Sequence, residues 1–396
     1  MESRSSPVVI CTGVEAQEKR SSNSGGGGGS GGVVFDSLLM QKKNKIPREF
    51  IWPSSERLQT LDELAAPVVD LGGFLSGDEE STLRAAGLIA AACKVHGFFQ
   101  VTNHGVDLAL IAAAVDCLDA FFRLPLRHKL RARQLPGSLC GYAGAHAHRF
   151  SSNLPWKETL SFPHIHSAAV AGSRDGAVVR FFTSILGKDF EAMGWVYQRY
   201  CEAMEELSLA IMDLLGVSLG VGRGHYRSVF EQGSSIMRCN YYPACPEPEL
   251  AMGTGPHCDP TAMTVLHQDL VGGLEVFSGG RWRAVNPVSG ALVVNIGDTF
   301  MALSNGRYKS CLHRAVVNRN QERRSIAFFL CPRDDELLRP PEDLVGDGTA
   351  AAGDRRKYPD FTWSELKEFT QKHYRADTKT LQSFSEWLLR HPRRSS

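Results

Sequence analysis

The feature that most constrains the fold is a series of short apolar segments, separated by turns, between Ile236 and Leu330. Segments of this kind, rich in Val, Ile and aromatic residues and bounded by Gly, Pro or Asn, are typical of β-strands. The predicted strands are Ile236–Tyr242, Met263–Gln268, Gly273–Phe277, Arg281–Val285, Ala291–Ile296, Ser310–Val317 and Arg323–Leu330. Many short strands with frequent turns predict a double-stranded β-helix (a jelly roll, cupin-like), here flanked by helices in an α+β protein.

Three residues within this region are candidate metal ligands. His257 and Asp259 lie two positions apart in an extended segment, so their side chains project from the same face. With His313 from a later strand they form a set of two histidines and one carboxylate, which is typical of non-haem Fe(II) oxygenases. A buried hydrogen-bonded pair with an unrelated surface histidine is one alternative. A zinc hydrolase is another, because zinc accepts the same ligands.

The residues after His313 predict a β-hairpin, with an extended run to Val317, a turn, and a strand that begins at Arg323. If Val317 pairs with Arg323, His313 lies opposite Ala327, roughly 13 Å from Arg323 at about 3.3 Å per residue. A small dicarboxylate could span that distance, with one end on the metal and the other on the guanidinium, which binds carboxylates through two parallel hydrogen bonds. Arg324 is expected to face the other way.

Several stretches together carry a family resemblance. They are His257 and Asp259 with His313, Arg323 with Ser325, Asn240–Pro243, Gly255–Pro260, Asn295–Gly306 and Leu154–Phe162. Through them the chain resembles plant 2-oxoglutarate- and Fe(II)-dependent dioxygenases, and among these the gibberellin 20-oxidases, from about Ile46 to Leu389. Many oxygenases share the metal motif, whereas Leu154–Phe162 is nearly diagnostic of the subfamily. Ala244 departs from the usual second proline without affecting the chemistry.

The resemblance implies a set of cofactors and the residues that bind them. Fe(II) is expected on His257, Asp259 and His313, with O2 as co-substrate and ascorbate in a supporting role. The far carboxylate of 2-oxoglutarate is expected on Arg323 and Ser325. Tyr242 and Asn240 are expected to contact the same co-substrate from the neighbouring strand. The alternative for Tyr242 is a strand tyrosine that faces the core.

The Leu154–Phe162 stretch has two interpretations. It is either a strand and loop with a solvated ion pair, or a wall of the substrate pocket that includes Leu154, Trp156, Lys157 and Glu158. In the second case Leu154 and Trp156 contact an apolar skeleton and Lys157 meets a carboxylate. The resemblance favours this second interpretation.

The substrate that the resemblance implies is a gibberellin precursor, a largely apolar tetracyclic diterpenoid acid. Successive oxidation at carbon 20, with loss of that carbon, would convert C20 precursors into C19 gibberellins during hormone biosynthesis. The alternatives are a related plant dioxygenase, such as a gibberellin 3β- or 2β-hydroxylase or a flavonoid oxygenase, and a non-catalytic jelly-roll binding protein.

Composition excludes several other classes of partner. Hydrophobic residues make up 43% and charged residues 22% of the chain, which is ordinary for a globular protein. A net charge of +1 gives no reason to expect nucleic acid or an anionic membrane as partner. No apolar run reaches the roughly 18 residues of a membrane span, and residues 1–20 do not resemble a secretory signal. The ten cysteines are scattered, so we expect reduced thiols and a cytoplasmic location. We also expect a monomer.

The chain is expected to divide into four parts. A Gly/Ser-rich disordered tail covers residues 1–35, since a phosphate-binding loop would need a flanking strand and helix. Residues 36–230 form an N-terminal region with helices and the pocket segment, and residues 231–335 form the catalytic jelly roll. Residues 336–396 form a C-terminal loop and helix that either borders the active-site mouth or only supports the core. An amphipathic helix is predicted from the stripe Tyr197, Tyr200, Met204, Leu207, Ile211 and Leu214.

Overall fold

The structure is a computed structural model that describes residues 35–57, 62–147, 152–165, 176–346, 355–373 and 380–391. The tail predicted at 1–35 lies outside these residues except for Phe35. Phe35 is buried against Phe50 and Trp156, so this residue packs on the main body.

Fifteen strands form the sheets of the part of the chain that the structure describes. They are β1 (Asp62–Glu63), β2 (Val68–Asp70), β3 (Phe98–Thr102), β4 (Gly141–Gly144), β5 (Glu158–Ile165), β6 (Ser234–Tyr242), β7 (Thr254–His257), β8 (Met263–Gln268), β9 (Leu274–Ser278), β10 (Arg281–Ala284), β11 (Leu292–Ile296), β12 (His313–Ala315), β13 (Arg323–Leu330), β14 (Leu337–Leu338) and β15 (Phe361–Thr362). The predicted strands at Met263–Gln268 and Arg323–Leu330 are confirmed to the residue, whereas β12 is much shorter than predicted.

Two sheets build the jelly-roll core. The larger has the order β2-β3-β11-β8-β13-β6-β5-β4, and the smaller has the order β1-β10-β9-β12-β7. Strands β14 and β15 form a separate pair. The predicted double-stranded β-helix in an α+β protein is confirmed.

Eleven helices surround the sheets in the described residues. They are α1 (Ser37–Met40), α2 (Gly72–Leu75), α3 (Glu79–Val95), α4 (Leu108–Phe122), α5 (Leu126–Lys129), α6 (Ala177–Ile185), α7 (Glu191–Leu219), α8 (Arg227–Phe230), α9 (Asp298–Leu303), α10 (Trp363–Lys372) and α11 (Thr380–Arg390). The predicted apolar stripe lies on α7 and is buried in the main core. Helix α7 ends at Gly220, whose φ of 77° suits a left-handed cap that favours glycine.

The predicted hairpin between His313 and Arg323 is wrong. Strand β12 pairs with β7 and β9 in the smaller sheet, whereas β13 pairs with β6 and β8 in the larger sheet. The intervening residues cross between the sheets, and the Asn318 side chain accepts hydrogen bonds from the backbone N–H groups of Asn320 and Gln321 in the turn. Sequence proximity and alternation are equally compatible with a hairpin and with a crossover, so the pattern alone could not separate them.

The predicted boundary between 230 and 231 does not separate two domains. Strands β2 to β5, all earlier in the chain, pair into the larger sheet beside the later strands. The described residues, from Phe35 onward, accordingly form one compact unit. The jelly-roll core therefore extends beyond residues 231–335, because strand pairing joins segments that are far apart in sequence.

Candidate active site

Three side chains converge where the two sheets face each other. His257 on β7 lies directly opposite His313 on β12, and their ring centroids are 4.2 Å apart. Asp259 follows β7, with a carboxylate oxygen 3.6 Å from His257 Nε2 and the other 3.7 Å from His313 Nε2. One ligand atom from each residue lies within 4.8 Å of the other two, which is close enough for all three to bind one metal ion.

The hydrogen bonds of the two histidines select the nitrogen that faces the centre. His257 Nδ1 lies 2.9 Å from the carbonyl oxygen of Gly255, and His313 Nδ1 lies 3.1 Å from that of Cys311. A carbonyl can only accept, so Nδ1 is the donor in each pair, and in the neutral imidazole Nε2 then keeps its lone pair. Both imidazoles are therefore oriented and in the tautomer that a metal requires.

Asp259 is held by the larger sheet. Its Oδ2 accepts a hydrogen bond of 2.6 Å from Thr264 Oγ1 on β8 and one of 2.9 Å from Asn295 Nδ2 on β11. Burial alone would raise the pKa of this carboxyl, but the nearby histidines and these two donors lower it below its ordinary value. The group is thus an oriented carboxylate, and the donor set fits a divalent ion with open coordination positions.

A buried cation lies in the same cavity. Arg323 on β13 is 2% exposed, and its Nη2 donates a 3.0 Å hydrogen bond to Gln268 Oε1. Its Nε has no hydrogen-bond partner, and no carboxylate in the described residues lies within ion-pair distance of it. A buried guanidinium without an anion is costly. This arrangement fits a ligand that brings a carboxylate.

The facing positions of β6 and β13 form a polar ladder beside that cation. The paired residues are Tyr242 with Arg323, Asn240 with Ser325, and Arg238 with Ala327. Asn240 Nδ2 donates to Ser325 Oγ at 3.3 Å, and the Arg323 guanidinium lies 5.0 Å from the centre of the Tyr242 ring. Arg324 faces away from the cavity, as predicted, and there it forms ion pairs with Asp119 and Glu322. The structure therefore brings together the predicted co-substrate residues.

One cavity of about 840 Å³ contains the three candidate metal ligands and this ladder. Its walls also include residues from remote parts of the chain, among them Trp52, Pro155, Lys157 and Trp363. Helix α10 contributes several further side chains, so the C-terminal segment borders the cavity rather than only supporting the core.

The structure corrects part of the predicted substrate wall. Leu154 is 1% exposed and Trp156 is fully buried, and neither lines the cavity. Trp156 packs edge-on against Phe35 and Phe50, with ring centroids 5.3 and 5.2 Å away. Strand β5 starts only at Glu158, and before it the Lys157 backbone N–H donates a 2.9 Å hydrogen bond to the Pro155 carbonyl in a tight turn. Pro155 and Lys157 line the cavity instead.

Glu158 was predicted at the same wall and lies on the buried side as well. Its Oε2 is 2.7 Å from Lys129 Nζ, both side chains are fully buried, and its Oε1 accepts a hydrogen bond from the Ser37 backbone N–H. The alternative of a solvated Lys157–Glu158 pair is also wrong, because the partner of Glu158 is Lys129. Glu158 anchors the start of β5 against α1 and α5.

Lys157 is the one residue of the predicted four that reaches the cavity. Its Nζ donates a 2.9 Å hydrogen bond to Thr254 Oγ1, and it lies 5.9 Å from the centre of the Tyr242 ring. Burial, together with Arg238 and Arg323, lowers the pKa of Lys157 to about 7, although Asp259 opposes the shift. An anionic ligand would favour its charged form.

Sequence reasoning missed several residues of this site. Thr264, Asn295 and Gln268 orient the ligands and Arg323, and Trp52 and Arg238 line the cavity. Asn295 begins one of the stretches that carried the family resemblance, and Arg238 shares the alternation of Asn240 and Tyr242 on β6. No comparable signal marked Trp52. Its place in the cavity depends on contacts with Leu250, Leu154 and Gly255, which are far away in the sequence.

Comparison with known proteins identifies the family. A profile of the 2OG-Fe(II) oxygenase superfamily matches residues 233–332, and a profile described as the N-terminal part of a non-haem dioxygenase in morphine synthesis matches residues 66–173. Gibberellin 20 oxidase 2 of Oryza sativa subsp. indica is 60% identical over 350 residues, which cover 88% of this chain and 87% of the relative. The chain belongs to the gibberellin 20-oxidase family.

A second curated relative and a solved structure support the same family assignment. Gibberellin 20 oxidase 1-B of Triticum aestivum is 54% identical over 90% of this chain and 95% of the relative. The crystal structure of JOX2 in complex with 2OG, Fe and JA superimposes with a TM-score of 0.75 at 30% identity, covering 89% of this chain and 98% of that one. The chain is a 2-oxoglutarate-dependent dioxygenase that uses Fe(II), 2-oxoglutarate and O2.

Among the described residues, no helix combines the length and apolarity that a bilayer span requires.

Proposed function

We propose that this dioxygenase oxidises carbon 20 of C20 gibberellin precursors in successive steps and releases C19 gibberellins. The convergence of His257, Asp259 and His313 in one cavity with the unpaired Arg323 carries the proposal. The identity of 52–60% with gibberellin 20 oxidases over most of the chain supports the choice of substrate.

In this proposal the three predicted ligands hold Fe(II) through His257 Nε2, His313 Nε2 and the Asp259 carboxylate. Fe(II), when bound, would supply O2-dependent oxidation of the substrate, coupled to oxidative decarboxylation of 2-oxoglutarate to succinate and CO2. Arg323 and the Ser325 hydroxyl bind the far carboxylate of 2-oxoglutarate, and Asn240 orients that hydroxyl. Tyr242 closes the same pocket, since its ring lies beside the guanidinium and its hydroxyl is 3.2 Å from Thr254 Oγ1.

The substrate occupies the remainder of the cavity. Lys157 and Arg238 supply cationic groups for the carboxylates of a diterpenoid acid, and Arg238 is oriented by a 3.0 Å hydrogen bond from its Nε to Ser161 Oγ. Apolar side chains such as Ile236 and Phe329 face its hydrocarbon skeleton. A single metal centre serves every step, because each step begins at the same carbon.

We also propose that the enzyme acts in the cytosol as a monomer, without a nucleic-acid or membrane partner. The net charge of +1 supports the absence of a nucleic-acid or anionic-membrane partner, and the scattered cysteines support reduced thiols in the cytosol.

Product analysis tests the proposed function. The purified chain is incubated with Fe(II), 2-oxoglutarate, ascorbate and a C20 gibberellin precursor, with and without a 13-hydroxyl group, and the products are identified by mass spectrometry. We expect intermediates oxidised at carbon 20, then a product that lacks this carbon, with succinate formed in proportion. A product hydroxylated at carbon 2 or 3 with carbon 20 intact would assign a different gibberellin oxidase activity. Absence of any succinate release would favour a binding protein.

A further inference from the structure

Trp52 lies against the strand that carries the first metal ligand. A Cβ atom built on Gly255 would lie 2.1 Å from the indole atom Cη2, so the ring occupies the space that a side chain at position 255 would need. Gly255 precedes His257 by two residues on β7, and its carbonyl accepts the hydrogen bond from His257 Nδ1. The indole is therefore packed directly beside the backbone that orients a proposed ligand.

Two further contacts fix the indole in place. The Trp52 backbone N–H donates to the Leu250 carbonyl at 2.9 Å, and its Nε1 donates to the Leu154 carbonyl at 3.2 Å. Leu154 begins the segment in which Pro155 and Lys157 face the cavity. The ring thus connects the strand of His257 with the segment of Lys157, and an aromatic side chain held at both ends loses little conformational entropy on binding.

Trp52 is only half-buried and lines the cavity that contains both sites. Its contacts with Gly255, Leu154 and Leu250 involve the benzo edge, the indole nitrogen and the backbone, respectively, and the half-buried side chain still lines the cavity. A large, flat apolar surface in this position matches a fused-ring hydrocarbon and has no group that would bind the co-substrate.

We propose that Trp52 is a specificity-determining residue, whose indole contacts the apolar ring skeleton of the substrate and positions it between Lys157 and the metal ligands. The inference rests on the proposed function, because it assigns a contact to the gibberellin precursor. It differs from the contact predicted from the sequence, since Leu154 and Trp156 face the opposite side of that segment.

The test compares Trp52→Ala and Trp52→Phe with Ile51→Ala. Ile51 is the neighbouring residue, is 39% exposed and does not line the cavity, so it serves as the matched control. Binding of the precursor is measured by calorimetry under anaerobic conditions with Fe(II) and 2-oxoglutarate present, so that no turnover occurs. Steady-state KM values for precursor and 2-oxoglutarate, and the ratio of product to succinate, are measured in parallel.

We expect Trp52→Ala to raise Kd and KM for the precursor by roughly 10- to 200-fold, the range for loss of an apolar contact in a pocket. The KM for 2-oxoglutarate should stay at the parent value, and less product should form per succinate. The precursor Kd and KM of Trp52→Phe should lie between those of the parent and of Trp52→Ala. Phenylalanine keeps an aromatic face but loses the hydrogen bond to the Leu154 carbonyl. Ile51→Ala should match the parent.

Parent-like precursor binding and coupling in Trp52→Ala would overturn the inference. Equal losses in the precursor and 2-oxoglutarate constants in both Trp52 variants would also overturn it, because they would indicate a general structural role. If Trp52→Ala does not fold, Trp52→Phe decides alone by the same criteria. Failure of the proposed function is distinguished by the parent protein, which would then neither bind nor oxidise the precursor.

Discussion

The two ends of the cavity are built in different ways. At the metal and co-substrate end, the side chains lie on or directly beside core strands and are held by neighbours such as Thr264, Asn295 and Gln268. At the other end, the walls come from an N-terminal segment with Trp52, the turn before β5 with Lys157, and helix α10. These elements are distant in sequence and meet only over the cavity.

The difference indicates how the two ends can vary. Residues on paired strands are kept in register by the backbone ladder, so chemistry placed there is rigid and reproducible. Segments that cross a cavity mouth depend on a few side-chain anchors, such as the Glu158–Lys129 pair and the Trp156 cluster. Substrate preference can therefore change at this end while the oxidative centre stays the same.

The largest effect should come from the metal end. His257→Ala, Asp259→Ala and His313→Ala should each reduce succinate and product formation to the level of the metal-free protein, because two ligands cannot hold the ion in the required geometry. Thermal unfolding by circular dichroism should show a folded protein in each case. Turnover by a folded variant at a substantial fraction of the parent rate would remove that residue from the ligand set.

The anchor of the substrate end should affect stability rather than catalysis. Glu158→Ala leaves Lys129 buried without its partner, and breaking a buried ion pair in this way costs about 3–5 kcal/mol in the free energy of unfolding. Denaturant titration measures the loss. The double variant Lys129→Met with Glu158→Leu should recover part of it. Unchanged stability together with a raised precursor KM would instead make Glu158 a substrate contact.

Two adjacent arginines face opposite sides of β13, and only Arg323 faces the proposed co-substrate pocket. Arg323→Ala should weaken 2-oxoglutarate binding by about 2–5 kcal/mol, since the co-substrate carboxylate loses its buried partner. Arg324→Ala is the matched control, because its guanidinium pairs with Asp119 and Glu322 away from the cavity. The KM for 2-oxoglutarate measures both. Equal values for the two variants would contradict the assignment of Arg323.

The smallest predicted effect is a pH dependence at Lys157. With a pKa of about 7, Lys157 is mostly charged at pH 6 and mostly neutral at pH 8. The value of kcat/KM for the acidic precursor reports the free enzyme and should therefore fall by up to about tenfold over this range. Lys157→Arg, which stays charged, should remove this component of the profile. Superimposable profiles would exclude Lys157 as the carboxylate partner.

The local pattern of the chain was enough to predict which side chains converge at the candidate metal site. The spacing of His257 and Asp259, the later His313, and the alternation that separates Arg323 from Arg324 all follow from strand geometry, because alternate residues share a face. Strands such as β8 and β13 were predicted to the residue for the same reason. The alternation of side chains along a strand is a local property, so it does not depend on which strands pair with it.

Only the tertiary structure decided which face of each segment meets the cavity. In the Leu154–Glu158 stretch, the order of apolar and charged residues does not reveal which side chains line the cavity. Pro155 and Lys157 line it, while Trp156 packs against Phe35. The crossover of β12 and β13 into different sheets and the arrival of Trp52 beside Gly255 are likewise unmarked in the sequence. These features depend on contacts between distant segments, whose free energies are determined by packing across the whole core.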